Sequence, residues 1–552
     1  MSKKSNLKGL VIPLLFLFTA LAGVIGGRIL EQRKYSYRLQ QLSEIFGSSA
    51  MSNDKISSTL EYIGSSYVDP VSIDSITEAL MPHIFEELDP HSIYIPAKDM
   101  QGMNESLEGE FDGVGITFNM ATDTVIIISV IPSGPSDKAG IRGGDRIIEI
   151  GDSLVAGRKV SQDSIMKMLR GKRGTEVKLG LERQGASELI EIDVTRGVIP
   201  IKSIQSSMIL RDSIGYIKML QFARTTHTEL VEAIANLEEQ GLKALILDLR
   251  GNSGGYLDQA IMIANELLPA NKLIVYTEDR QGNQQREYSD GNGHITELDI
   301  ALLIDEGSAS SSEILAGAVQ DNDRGTIIGR RSFGKGLVQQ QIPFADGSAM
   351  RLTIARYYTP TGRSIQKNYT RGDDETYNEE MLNRYVLGEF FVADSIHFVD
   401  SLKKVTPKGK VVYGGGGIMP DIFVPADTVD ITKYYMEVSA RNILYNFTTK
   451  YADDHREAIN SIKSFDELDE LLSDDNALLS SFVNYAAKKG VKAVWGDINR
   501  SRKIILAQLK AYIGRNTPLE DNAFYHSIYP IDVVMIKALE TLKEQDNQSE
   551  EQ

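Results

Sequence analysis

The sequence predicts a multidomain α+β protein: an α/β core, a β-rich module inserted before it, and helical regions at both ends. Three observations carry that expectation. Short apolar strands alternate with helical segments from Ile201 to about Pro425, the rhythm of a layered, largely parallel sheet. From Phe111 to about Arg196 the texture is instead β-branched runs broken by glycine turns. At 552 residues and 42% hydrophobic content, the chain is long enough for about three or four cores of 100–200 residues each.

In chain order, Lys3, Lys4 and Lys8 precede an apolar run from Leu10 to Ile25. A basic stretch before an apolar one is the pattern of an export signal, so residues 1–30 read as a signal peptide or membrane anchor and the bulk as exported to the periplasm or envelope. The run continues past the small residues Ala20-Leu21-Ala22, which favours an uncleaved inner-membrane anchor. Residues 50–107 show helical spacing (Ile56, Leu60, Ile63; Ile76, Leu80, Ile84, Leu88) and form an N-terminal helical domain. The β-rich module spans 108–197, with one helical stretch at Ser161–Leu169. The α/β core spans 198–428, interrupted near 369–405 by a polar, acidic segment that reads as an irregular surface insertion. Residues 429–552 are helical and charged; their amphipathic faces, including Tyr434–Phe447 and Ile505–Ile513, suit either a core of their own or a contact with a second copy or an adaptor.

Composition narrows the chemistry. The absence of cysteine excludes a disulfide scaffold, a thiolate metal site and a cysteine nucleophile, so a covalent catalyst must be an oxygen or a lysine amine. A net charge of −17 argues against a nucleic-acid partner, which draws on a basic surface.

Three loops of unusual content each follow an apolar strand. In Asp248-Leu249-Arg250-Gly251-Asn252-Ser253-Gly254-Gly255, glycines allow amides to converge on one point, although a plain strand-to-helix turn with an Asp248–Arg250 ion pair reads equally well. In Gly307-Ser308-Ala309-Ser310-Ser311-Ser312-Glu313, a serine opens a helix where free amides favour developing negative charge; Ser310 or Ser312 could equally be only a helix cap. In Ser332-Phe333-Gly334-Lys335-Gly336, a lysine between glycines is a poor solvated surface charge; lowered from about 10.4 towards 7–8, its amine could serve as a base. Gly329–Gly336 also matches G-x-x-x-x-G-K, but Gly336 stands where a nucleotide loop needs a hydroxyl. His91, His227 and His294 sit in polar contexts without a triad signature.

Together, GSASSSEILAGAVQD at 307–321, SFGKGLVQ at 332–339 and DLRGNSGG at 248–255 resemble the carboxyl-terminal processing (tail-specific) serine proteases. The resemblance extends to LDPHS at 88–92, YYTPTGRSIQ at 357–366 and GGIMPD at 416–421, and covers about 60–425. It implies a crotonase-like α/β protease core at 198–428 with a Ser–Lys dyad and a PDZ domain at 108–197. By the family motif, Ser310 is the nucleophile, Lys335 the general base and Gln339, placed one helical turn on, the group that orients the lysine. The oxyanion donors would be the Ser311 amide and that of Gly254 or Gly255. Serine stands at 311 and 332 where the family usually has alanine and threonine. Gly113-Val114-Gly115-Ile116 resembles the carboxylate-binding loop of PDZ domains, and Ile165, Met168 and Leu169 would line the pocket for the last side chain of a substrate. The implied activity is an endopeptidase for proteins with apolar C-terminal tails, with no metal or organic cofactor. The contrasting readings are a noncatalytic PDZ adaptor and a coenzyme-A hydratase on the same fold.

Overall fold

The computed structural model describes residues 54–550 apart from 123 and 184, so the apolar run at 10–25 lies outside the described residues. No helix among the described residues is long and apolar enough to cross a membrane. The chain divides into two compact units at Ile84/Phe85. The described part of the first holds α1 (Lys55–Ser66), capped by the Asp54 carboxylate on the Ser57 amide at 3.0 Å, and most of α2 (Ile73–Glu86).

In the second unit, β1 (Ile93–Ile95) and α3 (Ala97–Glu108) precede the β-rich module. A two-stranded antiparallel stem, β2 (Glu110–Gly113) against a returning strand, opens and closes that module. Within it lie β3 (Ile116–Thr122), β4 (Thr124–Val130), β5 (Arg146–Ile150), α4 (Gln162–Leu169), β6 (Glu176–Glu182) and β7 (Ile190–Thr195); the returning strand is β8 (Gly197–Pro200). The sheet order is β3-β4-β5-β6-β7, which leaves β3 as an edge strand directly after the Gly113–Gly115 turn.

The core follows as β9 (Ile204–Ile209), β10 (Ile214–Met219), α5 (Thr226–Glu239), β11 (Ala244–Asp248), α6 (Leu257–Leu267), β12 (Leu273–Asp279), β13 (Gln284–Tyr288), β14 (Asp299–Ile304), α7 (Ser311–Asp321), β15 (Thr326–Gly329), β16 (Leu337–Pro343), β17 (Ala349–Tyr358), α8 (Asp374–Val386) and β18 (Ile422–Phe423). One sheet runs β9-β10-β11-β14-β15-β18, parallel from β10 onward. A second, antiparallel sheet runs β1-β17-β12-β13, with β16 also paired to β17.

Both faces of the first sheet are covered, which is why ALILD and DIALLI are apolar almost without alternation. Successive side chains point to opposite faces. Leu245, Leu247 and Leu302 meet Leu230 and Ile234 of α5, Ile263 of α6 and Leu315 of α7. On the other face, Tyr216, Ile246, Ala301, Leu303 and Ile328 meet Val534, Met535, Ala538 and Leu542. Those four come from the C-terminal region, whose main helices are α9 (Ile443–Asp454), α10 (Arg502–Gly514), α11 (Glu520–Ile528) and α12 (Val533–Glu550).

The C-terminal faces that suggested a second copy or an adaptor are covered by the chain itself. Tyr434, Val438, Phe447, Ile505, Leu509 and Ile513 share one buried cluster. The segment 369–405 is also more ordered than expected. It contains α8, whose Tyr377 and Arg384 turn inward and are 4% and 3% exposed. Among the described residues the strand at Val411–Tyr413 pairs only with Lys403–Val405, and the main sheet gains its last strand at β18.

Candidate functional site

The three loops singled out in the sequence leave the carboxyl ends of β11, β14 and β15, adjacent strands of the parallel sheet, where such folds place their sites. Ser310 follows β14 and caps α7 with φ 52° and ψ −113°. A non-glycine residue there is strained by about 1–3 kcal/mol and persists only where its surroundings hold it. Several contacts do. The Ala309 amide donates to the Asn252 carbonyl at 3.0 Å, Ser312 Oγ donates to the same carbonyl at 2.8 Å, and Ser308 Oγ donates to the Leu249 carbonyl at 2.9 Å. The 248–255 loop is thereby stitched to the serine loop.

Glu313 joins the serine loop to the lysine loop. It is fully buried, and its Oε2 accepts the amides of Ser310 at 2.9 Å and Lys335 at 2.8 Å. Its Oε1 accepts Ser332 Oγ at 2.5 Å and the Gly334 amide at 2.7 Å. Burial pushes the carboxyl above the usual carboxylate range, against the pull of those four donors. Tyr357, 1% exposed, reaches both backbones from β17: its hydroxyl lies 2.7 Å from the Lys335 carbonyl and 3.1 Å from that of Ser310. On the outer side of the lysine loop, Arg384 of α8 donates to the Arg331 carbonyl at 2.8 Å and the Ser332 carbonyl at 3.0 Å.

Lys335 and Ser310 line one cleft of about 1220 Å³ together with Ser311, Gly254, Gly255 and Gln339. Burial lowers the Lys335 amine below the ordinary lysine value, the nearby Arg351 charge lowers it further, and Asp89 and Glu313 oppose the shift. A lysine so placed gives up its proton more readily than an exposed one.

Gln339 is not a helical turn from Lys335. Gly336 donates its amide to Gln366 Oε1 at 2.8 Å and the chain enters β16, so Gln339 lies on a strand paired with β17. Four extended residues span about 13 Å, against about 6 Å in a helix. Its Nε2 is buried without a hydrogen-bond partner among the described residues.

The two glycines differ. The Gly254 amide is engaged by Asn252 Oδ1 at 2.9 Å, whereas the Gly255 and Ser311 amides donate to no acceptor among the described residues. A Cβ on Gly254, φ 99°, would stand 2.8 Å from Ser310 Cβ and 2.9 Å from the Ser311 nitrogen, so the bare glycine keeps the space beside the serine open. The Ser311 hydroxyl donates to the Gly255 carbonyl at 3.0 Å. The Asp248–Arg250 ion pair is also present, at 2.7 Å.

None of the three histidines hydrogen-bonds Ser310 among the described residues. His227 and His294 share the Glu266 carboxylate, and His91, pushed down to about 4 by burial and then by Lys335, bonds Tyr377 at 2.9 Å.

In the β-rich module, Gly113 ends β2, Val114 and Gly115 form the turn, and Ile116 opens edge strand β3. The amides of Val114 and Gly115 donate to no acceptor among the described residues. Of the three α4 side chains expected in a groove, Ile165 and Leu169 are enclosed in the module's core with Val114, and Met168 is half-buried at its edge.

Glu313, Tyr357 and Arg384 escaped the reading from sequence. For Glu313 a signal existed: Ser310-x-x-Glu313 is the spacing of a capping box, whose acidic member turns back on the helix start.

Comparisons with known proteins match these regions. A model of peptidase family S41 matches residues 213–376, a PDZ domain model 113–194, and a family of unknown function (DUF8443) 434–517. The chain is 37% identical over 311 residues to a carboxy-terminal-processing protease of Bartonella bacilliformis, covering 55% of this chain and 70% of that one. It is 33% identical over 315 residues to the carboxy-terminal processing protease CtpA of Bacillus subtilis, covering 57% and 66%. Among solved structures, the photosystem II D1 C-terminal processing protease is similar at 27% identity and a TM-score of 0.32, over 56% of this chain and 89% of that one.

Proposed function

The chain belongs to the carboxy-terminal processing proteases of peptidase family S41, and from that membership we propose that it is an envelope endopeptidase working through a Ser310–Lys335 dyad. It is a serine peptidase that carries a PDZ domain. In the proposed cycle, neutral Lys335 takes the proton of Ser310 Oγ as that oxygen attacks the scissile carbonyl carbon. The Ser311 amide, with that of Gly255, receives the developing oxyanion; Gly254 is the weaker candidate because its amide is engaged. Protonated Lys335 then gives its proton to the leaving amine, and water resolves the acyl-enzyme. Gln339, which lines the same cleft with a spare amide nitrogen, would steady the lysine or the substrate backbone.

The observation that carries this reading is the strained Ser310 held through Glu313 to a lysine whose amine burial pushes down. Substrate tails would add as a strand along β3, with the terminal carboxylate at the Val114 and Gly115 amides and the last side chain against Ile116 and Met168. Opening the α4 side towards Ile165 and Leu169 would deepen that pocket. The basic-then-apolar residues 3–25 support placement in the envelope, anchored by the N-terminal segment.

The test is cleavage of an unstructured protein with an apolar tail. Ser310→Ala and Lys335→Ala are each expected to lose more than the roughly 10²–10³-fold assigned to one oxyanion donor. Undiminished cleavage by either variant overturns the dyad.

A further inference from the structure

The catalytic cleft contains two guanidinium groups, those of Arg224 and Arg351. Arg224 is paired, 3.3 Å from Glu108 and 3.9 Å from Asp258. Arg351 is half-buried on β17 and forms no ion pair among the described residues, although Asp258, Asp279 and Glu287 line the same cleft. Other arginines withdrawn from water in the core are satisfied within the chain: Arg363 pairs with Asp321, Arg384 with Glu389 and Arg331 with both Glu380 and Glu389, and Arg324 donates to the Leu267, Ile295 and Leu298 carbonyls. An arginine held partly out of water without a counter-charge is costly, and burial depresses its pKa accordingly.

Arg351 is nevertheless held in place. One nitrogen, Nη2, donates to Gln341 Oε1 at 2.9 Å, across the β16–β17 pair. Gln341 is itself fixed by its Nε2 on Asn104 Oδ1 of α3, at 3.2 Å. The chain Asn104–Gln341–Arg351 orients the planar fork and leaves its other N–H groups for a ligand. That fork matches a carboxylate in two-point geometry better than any single neutral acceptor. Arg351 is also close enough to Lys335 for its charge to be the strongest electrostatic influence on that amine.

We propose that Arg351 recognises a carboxylate of the polypeptide bound in the catalytic cleft. The inference rests on the dyad reading and adds a substrate preference to it: near the scissile bond the enzyme favours an acidic side chain, or the chain's own terminal carboxylate when the tail is short. Apolar recognition by the PDZ groove and acidic recognition in the cleft then act on different parts of one substrate.

The experiment uses the full chain and peptides sharing one apolar tail. One series scans a Glu/Gln pair through the positions flanking the cleaved bond, and another compares a free C-terminus with its amide. The wild type is expected to prefer the carboxylate about tenfold or more in kcat/KM in at least one series, chiefly through KM. Arg351→Gln should reduce the preference at that position to about twofold or less, and Arg351→Glu should reverse it. Because each preference is a ratio within one variant, a general loss of activity cancels. A Glu/Gln preference lost in Arg351→Gln identifies a side-chain ligand. A free-over-amide preference lost in that variant identifies the terminal carboxylate, whereas any part that persists belongs to the PDZ groove. Equal cleavage of all pairs by the wild type, or full discrimination by Arg351→Gln, overturns the proposal. Cleavage by Ser310→Ala would instead overturn the dyad, whatever Arg351 does.

Discussion

The Glu313 carboxylate stands 2.8 Å from the backbone amide of Lys335, through the oxygen that also accepts the Ser310 amide. The proposed nucleophile and base are thus registered to each other through one buried acid. In Glu313→Gln an amide nitrogen would replace one oxygen and face two donors, leaving them unsatisfied at about 1–3 kcal/mol each. A lower melting temperature and at least a roughly tenfold lower kcat are expected; a melt and steady-state kinetics on the same preparation check both.

The pH dependence has a definite sign. The proposed base works as the neutral amine, so kcat/KM should rise with pH along a limb centred below the ordinary lysine value of 10.5. Removing the Arg351 charge takes away a repulsion, so Arg351→Gln should move that limb to higher pH. Stability follows the same group. Between the lowered folded value and 10.5 the unfolded chain binds more protons, so Lys335 makes the fold more stable as pH rises across that window. Lys335→Met should flatten that part of the stability curve, as denaturant titrations at several pH values would register.

Gly254 and Gly251 separate steric from conformational demands. Gly251 has φ 70° and open space around a would-be Cβ, so Gly251→Ala should cost only about 1 kcal/mol of backbone strain and leave kcat near wild type. Gly254→Ala drives a methyl into Ser310, Ser311 and the Ala309 carbonyl and is expected to lower kcat by about 10²-fold or more. Parallel kinetics and melts of the two variants give the comparison.

Arg384 ties the 369–405 segment to the lysine loop. Arg384→Ala leaves the Arg331 and Ser332 carbonyls without their buried donor and Glu389 without one of its two arginines, a loss of about 3–5 kcal/mol for a broken buried pair. Faster amide exchange across residues 330–336 and a fall in kcat larger than any rise in KM are expected.

What the sequence could reveal was local. Apolar strands followed by glycine- and serine-rich loops announced the sheet and the loops at its carboxyl end, because those signals lie within a few residues of the feature they specify. Gln339 was misread because lysine and glutamine four apart fit a helix and a strand equally well; pairing with β17 decides for the strand. Arg384 looked like one charge in a polar stretch because its acceptors lie about fifty residues away. The roles of Val534 and Met535 were hidden for the same reason: nothing near them in the chain names the sheet they cover.

That cover has a consequence for biosynthesis. As the chain leaves the ribosome, β10, β11, β14 and β15 emerge well before the C-terminal residues that cover Tyr216, Ile246, Leu303 and Ile328, first Phe465 and Tyr525 and last Val534, Met535, Ala538 and Leu542 of α12. The apolar underside of the sheet that carries the three loops is therefore sealed only by the last part of the chain to be synthesised.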